Sequence, residues 1–535
     1  MALTVGLVML TIGNFLGGMW ANESWGRYWG WDPKETWALI SIMAYAFIIH
    51  MRLVPGLRGR FLGNINTTSA FENRRSYTPY FYSASNYDPL TGDYTLTSVS
   101  DGNEALDLVG GERTNNSVFY METALDYAKT INEKHNVTGL VVFTARDFLD
   151  GNASSVELSL PSRNLTLAGR FNYDYDNRYF VEANFGYNGS ERFAENNRFG
   201  FFPSFGVGWL VSNEKFFNSN VISRLKFRAS FGRVGNDQIG NTRADRFFYL
   251  SNVNIDNGGR GHLFGENFNN FISGVSISRY ANPLVTWETS DKANIGLELN
   301  LFDDSIQFRA DVFEDNRSSI LQARQDIPST LGLQASLQTN VGEVRSYGID
   351  ASLDINHTFN EDFWVQGRAT FIYADNEFKV FEEADFAAIG APWRSNIGNH
   401  TNVAQGYIAE RLFVDDQEAI NSPTQFGTPG VDYGGGDIKY KDLNNDGAIT
   451  SLDRAPIGKP TVPKVTYGFG ISLGYKRWDF NTFFQGVGER SFFINPFSTG
   501  PFLNSNLGGG NGNGTLGENG LLQAYADSHW SEENR

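Results

Sequence analysis

The sequence contains no cysteine and only six histidines in 535 residues. The lack of cysteine excludes a disulfide framework, a thiolate metal site and a cysteine nucleophile. The histidines lie far apart, and none has the HExxH spacing that brings two imidazoles to one side of a helix. A histidine-based zinc centre is therefore not expected, and the sequence shows no catalytic constellation that would predict an enzyme.

Positive charge is also scarce. Lysine and arginine number 43 against 60 aspartate and glutamate residues, which gives a formal net charge of -17. Binding to nucleic acid needs a basic surface for the phosphates, and no lysine or arginine block stands out. The sequence therefore predicts no nucleic-acid partner.

Charged side chains are missing from two long segments near the start. Met1–Asn22 and Thr36–Met51 carry none, and each approaches the roughly 20 apolar residues of a membrane-spanning helix. Arg52, Arg58 and Arg60 follow the second segment, which places that end in the cytoplasm by the positive-inside rule. The segments predict a two-helix transmembrane hairpin typical of the inner membrane.

The loop between these helices is dense in tryptophan. An interfacial aromatic belt is one explanation. The run WGRYWGWDPKETWALI also resembles the tryptophan-rich WWD segment of the CcsA/ResC/CcmF cytochrome c biogenesis proteins, over about the first 60 residues. The resemblance implies a haem platform at Trp25, Trp29, Trp31 and Asp32, with His50 as the matching histidine in the next helix.

From about Ser76 onward, apolar and polar residues alternate. The stretch RNLTLAGRFNYDYDNRYFVEANFGY, which begins at Arg163, predicts two strands of about 9 to 11 residues around a DYDNR turn, long enough to cross a bilayer when tilted. A soluble β-sandwich alternates too. However, full charges such as Arg170, Glu182 and Lys226 occupy one of the two alternating faces, which a water-filled lumen allows and a packed core does not.

Several of these stretches resemble the SusC/RagA family of TonB-dependent outer-membrane transporters. They include LPSRNLTLAGRFNYDYDNRYF, NPLVTWETSDKANIGLELNLF, NVGEVRSYGIDASLDI and GDIKYKDLNNDGAITSLDRAPIG, and the resemblance runs from about residue 66 to the end. It implies a plugged barrel of about 22 strands. It also implies import of oligosaccharides or peptides, energy supplied through TonB, ExbB and ExbD, and a SusD-like lipoprotein partner.

The predicted fold is therefore mainly β: a partial large antiparallel transmembrane β-barrel of the TonB-dependent transporter type, with the plug absent, preceded by the helical hairpin. Residues 1–64 form the cytochrome c biogenesis-like fragment, and residues 65–535 form a barrel fragment truncated at both ends, with about 14 to 16 candidate strands. The two parts have different destinations, the inner and the outer membrane. We therefore expect a chimeric reading frame, joined near Leu62 to Thr67.

One segment, DLNNDGAITSLD, fits the calcium-loop template D-x-[DN]-x-[DN]-G with a final carboxylate. Gly447 permits the sharp turn, and a polar Asp-Gly turn without an ion is the alternative. The oxygen ligands expected for a structural Ca²⁺, ahead of Mg²⁺, are Asp442, Asn444, Asp446, Ala448, Thr450 and Asp453.

Three functions are compatible with these patterns. The first is a transporter barrel in the outer membrane, and the second is a haem-handling cytochrome c assembly factor. The third is a soluble β adhesin stiffened by calcium. The apolar faces of the strands separate the first from the third, because a barrel exposes them to lipid whereas a soluble protein packs them into a dry core.

Overall fold

The computed structural model describes residues 57–535 except 88, 101, 112, 154, 241–244, 496–498, 502–519, 528, 532 and 534–535, together with Thr11, Ile12 and Ile42. Apart from these last three residues, the predicted helical hairpin with its tryptophan loop lies outside the described residues. In the described part of the chain, no helix has the length and apolar character needed to span a bilayer.

Most of the described chain is β-strand. Thirteen strands are hydrogen bonded in the order β1-β6-β7-β8-β9-β10-β11-β14-β15-β16-β17-β22-β23, and each pair of neighbours whose register is known runs antiparallel. These strands are β1 (Leu57–Phe71), β6 (Arg113–Ile131), β7 (His135–Asp150), β8 (Ser162–Tyr175), β9 (Tyr179–Ser190), β10 (Phe199–Leu210), β11 (Ile222–Asn236), β14 (Glu288–Leu301), β15 (Ile306–Ala323), β16 (Gln338–Asn360), β17 (Phe363–Val380), β22 (Val465–Tyr475) and β23 (Trp478–Gly488).

The remaining strands form two-stranded antiparallel pairs within the connections. They are β2 (Arg74–Ser76) with β5 (Asp107–Gly110), β3 (Phe81–Ser85) with β4 (Thr95–Ser100), β12 (Asn252–Phe264) with β13 (Asn270–Arg279), β18 (Ala404–Tyr407) with β21 (Arg454–Ile457), and β19 (Ala409–Leu412) with β20 (Ile438–Tyr440). The helices are short: α1 (Val156–Ser159), α2 (Asp416–Ile420) and α3 (Gln523–Asp527), with 3₁₀ turns η1 (Glu195–Asn197), η2 (Val211–Asn213), η3 (Ser329–Leu331), η4 (Pro392–Arg394) and η5 (Ser451–Asp453).

The chain divides into two compact units. As far as their residues are described, the first comprises Met1–Asn172, Asn184–Phe202 and Gly240–Phe247, and the second comprises Tyr173–Ala183, Pro203–Ile239 and Phe248–Arg535. Strands β8, β9 and β10 each contribute residues to both units.

Tight turns and long connections alternate along the large sheet. The predicted DYDNR turn is confirmed: Asp176 and Asn177 join β8 to β9 with positive φ. Asp303 and Asp304 join β14 to β15 in the same conformation. Aspartate and asparagine tolerate this left-handed conformation better than most residues. The longest connection, 381–464, leaves from the opposite end of the strands. We call the two ends of the strands the turn side and the loop side.

In the second unit, strand pairing lines up the apolar residues of successive strands. Across β11, β14, β15 and β16, Ala229 pairs with Ile295, Ile295 with Val312, and Val312 with Ile349. Because side chains alternate along a strand, this row lies on one face of the sheet. We call it the apolar face.

The apolar face is not covered by other described residues of the unit. Ile295 is 67% exposed, Val312 is 55% exposed and Phe231 is 58% exposed. In water, such a continuous exposed apolar surface marks a contact with a partner or a membrane. The apolar residues do not pack into a dry core, which argues against the soluble β-adhesin alternative.

The first unit has the same two-faced construction. Phe119, Thr123 and Leu125 of β6 stand directly opposite Asp147, Phe143 and Val141 of β7. The apolar side chains of these two strands therefore share one face, and the charged Asp147 lies at the loop-side end of that face. Tyr120 and Glu122 point to the other face, where the Tyr120 hydroxyl donates to Glu122 Oε2 at 2.7 Å.

The first strand crosses the domain boundary that the sequence predicted. β1 runs without a break from Leu57 to Phe71 and pairs along its whole length with β6. Residues 57–64, which the sequence assigned to the cytochrome c biogenesis-like fragment, therefore lie in the same strand as residues 65–71. The sequence reading missed this strand because its alternation was recognised only from Ser76 onward.

Candidate functional site

The polar face of the large sheet carries a network of ion pairs in the second unit. Arg228 contacts Glu298 and Asp311, and Arg368 Nε donates to Asp354 Oδ1 at 2.6 Å. These residues alternate with the apolar residues of the same strands, so they lie on the face opposite the exposed row of Ile295. In these strands the charged residues share one face of the sheet, as their alternation with apolar residues predicts.

A polar concavity of about 770 Å³ lies on this face near its turn side. Its lining includes Gln307, Arg309, Asn356, Gln366, Arg368 and Asn481. The concavity is rich in amide and guanidinium groups, which hydrogen bond to hydroxyl and peptide groups alike. Its chemistry therefore suits a hydrated polar solute and does not distinguish a sugar from a peptide.

The loop-side connection between β17 and β22 folds into a small structure of its own. It contains the pairs β18–β21 and β19–β20 and a buried cluster of Phe413, Ala419 and Tyr433. The predicted calcium loop, residues 442–453, joins β20 to β21 through the 3₁₀ turn η5. This part of the chain is therefore ordered by both backbone pairing and apolar burial.

The first half of the predicted calcium loop is a tight turn around Gly447. Asp442 Oδ1 accepts from Asn445 N at 2.7 Å, and Asp442 Oδ2 accepts from Gly447 N at 2.9 Å. Asn444 donates to Asp446 Oδ2, and Asp446 Oδ1 accepts from Ala448 N. Gly447 has φ +85°, a conformation that favours glycine. The structure thus brings Asp442, Asn444 and Asp446 together.

In the second half of the loop, the Asp453 carboxylate binds backbone N–H groups. Asp453 is fully buried, and it accepts from Leu443 N and Thr450 N, both at 2.8 Å. Thr450 and Asp453 form a capping box at η5. Asp453 therefore closes the loop through backbone hydrogen bonds. Over the described ranges, no group of three or more His, Asp and Glu side chains is arranged to hold a metal ion.

An ion cluster that the sequence did not predict stabilises the same region. Glu418 on α2 accepts from Arg411 of β19, from Val414 N and from Lys439 Nζ of β20. The Arg411 guanidinium contributes most, followed by the Val414 N–H, and together with Lys439 these donors lower the pKa of Glu418 to about 2. Only the fold reveals this cluster, because the three side chains lie on separate elements.

We expect this cluster to make the region acid-sensitive. The folded pKa of Glu418 is depressed, so its contribution to stability is present above the usual carboxylate pKa of 4.5 and is lost as the pH falls toward 2. Replacing Glu418 by Gln should remove that dependence and cost about 1 to 3 kcal/mol at neutral pH. Proteolysis of residues 404–457 between pH 6 and 3 measures it. An unchanged pH profile in E418Q would contradict the assignment.

A second unpredicted cluster lies at the turn side. Glu214, just after η2, accepts from Trp209 Nε1 at 3.1 Å and from Arg178 Nη1 at 3.3 Å. A hydrogen bond from Tyr179 is the main reason that the pKa of Glu214 is lowered, and the Trp209 and Arg178 contacts act in the same direction. Aromatic rings with a polar partner are typical of membrane interfaces.

The predicted haem residues Trp25, Trp29, Trp31, Asp32 and His50 all lie outside the described residues. The haem assignment therefore stays a prediction from the sequence.

Structural comparison defines the class of the fold. A structure titled as the RagAB peptide importer in its closed-closed state superimposes with a TM-score of 0.54 and 20% identity, over 82% of this chain and 46% of that chain. Its open-open state gives a TM-score of 0.54, with 84% of this chain and 47% of the other covered. The described β structure thus shares its fold with the structure titled as a peptide importer, of which the chain spans about half.

Sequence comparison is more specific. TonB-dependent receptor P3 of Formosa agariphila is 28% identical over 327 residues, which cover 60% of this chain and 31% of that relative. TonB-dependent receptor SusC of Bacteroides thetaiotaomicron is 27% identical over 322 residues, covering 58% and 30%. Most of the chain is therefore homologous to SusC-like TonB-dependent receptors, of which it spans about a third. These relatives are named as receptors and not as enzymes.

The start of the chain is similar to a different group of proteins. Residues 1–67 match the family model of the cytochrome C assembly protein. Protein NrfI of Wolinella succinogenes is 70% identical over 53 residues, which cover 10% of this chain and 6% of that protein. The cytochrome c biogenesis protein CcsA of a Synechococcus strain is 59% identical over 58 residues, covering 11% and 19%. Both resemblances noted in the sequence are confirmed.

Proposed function

We propose that residues 65–535 form part of the barrel of a TonB-dependent importer in the outer membrane. In this proposal, oligosaccharides or peptides pass along the polar face, a SusD-like lipoprotein binds at the loop side, and TonB, ExbB and ExbD supply energy. The homology to SusC-like receptors and the fold shared with the RagAB peptide importer support this function. Neither comparison separates the two substrate classes.

The observation that carries the proposal is the two-faced sheet. Along β14, Ile295 and Leu297 point to the exposed apolar face, whereas Glu298 lies among arginines on the other. Lipid contact on one face and water on the other account for this arrangement, because charges are tolerated in a membrane protein where they border a water-filled space.

Cell fractionation and uptake test the proposal together. In the natural host, the protein should be found in the outer-membrane fraction, and deletion of its gene should abolish uptake of at least one fluorescent oligosaccharide or peptide from a mixed panel. Restoring the gene should restore uptake. Recovery of the protein in the soluble fraction, or unchanged uptake of the whole panel after deletion, would reject an importer.

A second candidate function concerns residues 1–64, because their relatives include cytochrome c biogenesis proteins. We propose that this segment binds haem at Trp25, Trp29, Trp31, Asp32 and His50. Haem should copurify with the chain and be lost in the W29A/W31A and H50A variants. Equal haem content in these variants would reject the assignment.

We also propose that the two parts were joined by misassembly or recombination near Leu62 to Thr67. The match to the cytochrome C assembly family model ends at residue 67, whereas the match to a TonB-dependent receptor covers 60% of the chain, and this change of relatives supports the proposal. A single long DNA read across these codons, together with a peptide spanning Arg60 to Phe71, would show a continuous gene product and overturn an assembly error.

We propose that the loop 442–453 binds Ca²⁺ with a structural role. Asp442, Asn444 and Asp446 lie in one turn. A carboxylate offers about four acceptor positions, so Asp442 and Asp446 retain capacity for an ion, and the carbonyl oxygen of Asn444, which accepts one hydrogen bond, has a second lone pair. Adding Ca²⁺ should protect residues 440–457 from proteolysis, and the D442N/D446N variant should lose this protection. Equal protection of both proteins would contradict the site. The D432N variant, altered in a neighbouring turn, is the matched control.

A further inference from the structure

The polar concavity near the turn side contains an arginine that has no carboxylate partner. The charged residues that line it are Arg309 of β15, Asp354 of β16 and Arg368 of β17. Arg368 Nε donates to Asp354 Oδ1 at 2.6 Å, so these two charges offset each other. In the part of the chain that the structure describes, the Arg309 side chain is exposed and makes neither a hydrogen bond nor an ion pair. The lining therefore carries one uncompensated positive charge.

The neighbouring charges on the polar face do not cancel this positive charge. Glu298 stands directly opposite Arg309 in the pairing of β14 with β15, but it contacts Arg224 and Arg228. From Asp311 to the turn side, the basic side chains on this face of β11, β14, β15, β16 and β17 outnumber the acidic ones by one: Arg224, Lys226, Arg228, Arg309 and Arg368 against Glu298, Asp311, Asp350 and Asp354.

One further carboxylate on the polar face is distant from Arg309. Asp479 belongs to β23, which is four strands from β15 in the sheet. At the usual spacing of strands, four steps correspond to about 19 Å. The screening length in physiological salt is only about 8 Å, so Asp479 does not neutralise Arg309.

The rest of the lining is uncharged. A Cβ at Gly470 would stand 2.8 Å from the ring of Phe483, so this ring lies against the Gly470 backbone. The ring is on the polar face, and Phe483 is 58% exposed. The lining also includes the amide or hydroxyl groups of Gln307, Asn356, Gln366, Ser472 and Asn481. These groups hydrogen bond to the neutral parts of a polar solute, which leaves Arg309 as the group of the lining that selects for charge.

We propose that Arg309 binds a singly charged oxyanion of the transported solute, such as the carboxylate of an acidic sugar or of an acidic amino acid. The inference rests on the proposed importer function and adds that acidic solutes are preferred to neutral ones. A guanidinium is a planar fork of N–H donors that matches two oxygens of a carboxylate. Because Arg309 has no ion pair to break, a bound anion gains this contact without displacing an internal partner.

Isothermal titration calorimetry of the purified full chain in detergent tests the site. An acidic oligogalacturonide is compared with a neutral galactose oligomer of the same length and linkage, and a short capped peptide with a central glutamate is compared with the same peptide carrying glutamine. In at least one pair, the acidic member should bind about tenfold more tightly, the equivalent of about 1.4 kcal/mol, and salt should reduce the difference.

The two pairs of probes distinguish the sources of the carboxylate. A preference within the sugar pair alone would assign the site to acidic oligosaccharides, and a preference within the peptide pair alone would assign it to acidic peptides. Equal affinity within both pairs, or no binding of either acidic probe, would overturn the proposal.

Variants test the role of Arg309 itself. R309M should remove the preference for the acidic member, whereas R309K keeps the positive charge and should retain most of it, which separates loss of charge from loss of fold. The matched control is R260M, which removes the same charge from an exposed position of β12 and should bind as the unaltered chain does. A full preference in R309M would contradict the site.

Outer-membrane fractionation and the uptake test keep the two proposals distinguishable. A chain that is absent from the outer membrane, or whose deletion leaves uptake unchanged, would defeat the proposed function itself. A chain that inserts and supports uptake but does not prefer the acidic probes would defeat only the oxyanion site.

Discussion

Replacing Ile295 by arginine is expected to destabilise the protein in lipid by about 2 to 4 kcal/mol, the cost of a charge on the lipid side of a membrane strand near the bilayer centre. Ile295 is 67% exposed and stands in a row with Ala229, Val312 and Ile349. An arginine there has neither water nor a counter-ion on its own face. Urea unfolding of the protein in lipid vesicles, followed by tryptophan fluorescence, measures the effect.

The neighbouring position supplies the control. Asn294 precedes Ile295 in β14, so its side chain lies on the polar face. The N294R variant should therefore unfold within about 1 kcal/mol of the unaltered chain, as exposed polar substitutions usually do. If I295R and N294R were equally stable, the apolar face would not contact lipid, and the membrane assignment would fail with it.

Replacing Arg246 by methionine is expected to destabilise the connection 151–161, which contains α1, because the hydrogen bonds that hold it to Arg246 are lost. Arg246 is 2% exposed, and its guanidinium donates to the carbonyls of Glu157 and Leu160, the latter at 2.8 Å. Methionine fills similar space but donates no hydrogen bond, so the two carbonyls lose a charged donor. Such bonds contribute about 1.5 to 3 kcal/mol each, and we expect a local loss of about 3 kcal/mol or more.

Limited proteolysis of residues 151–161 measures this loss, with hydrogen exchange as an independent readout. The R260M variant, which replaces an exposed arginine of β12, should change neither. Equal protection of the connection in R246M and the unaltered chain would mean that the Arg246 contacts do not hold it.

Local patterns predicted much of the β structure. The hairpin at Asp176 and Asn177 followed from alternation on either side of an Asp-Asn turn, since period-two alternation and turn residues act over a few positions. The run ETALDYAKTINEKHNVTGLVVF, residues 122–143, likewise alternates as strand, turn and strand, and the structure has β6 and β7 there. Pairing of β1 with β6 was missed, because the two are separated by about forty residues and the signal of β1 is weak.

Among the candidate sites, too, the one built from neighbouring residues was predicted and the one built from separate strands was not. The calcium template was visible because its oxygens come from neighbouring residues of one short segment, and the structure places Asp442, Asn444 and Asp446 in one tight turn. Ion binding there stays a prediction. Asp453 was predicted as the final ligand, but its carboxylate caps η5 and binds Leu443 N. The Glu418 cluster gave no sequence signal, since Arg411 and Lys439 reach Glu418 from different strands.

The sequence by itself determined that this chain alternates apolar and charged residues over most of its length, and that its two ends have different relatives, because both properties are carried by neighbouring residues. Only the tertiary structure decided which residues of different strands share a face of the sheet and lie at the same level along the strands. Strand register placed Ile295 among exposed apolar side chains, and it brought Arg228 beside Glu298 and Asp311 on the opposite face. Register depends on pairing between distant segments, where a shift of one residue would exchange the two faces.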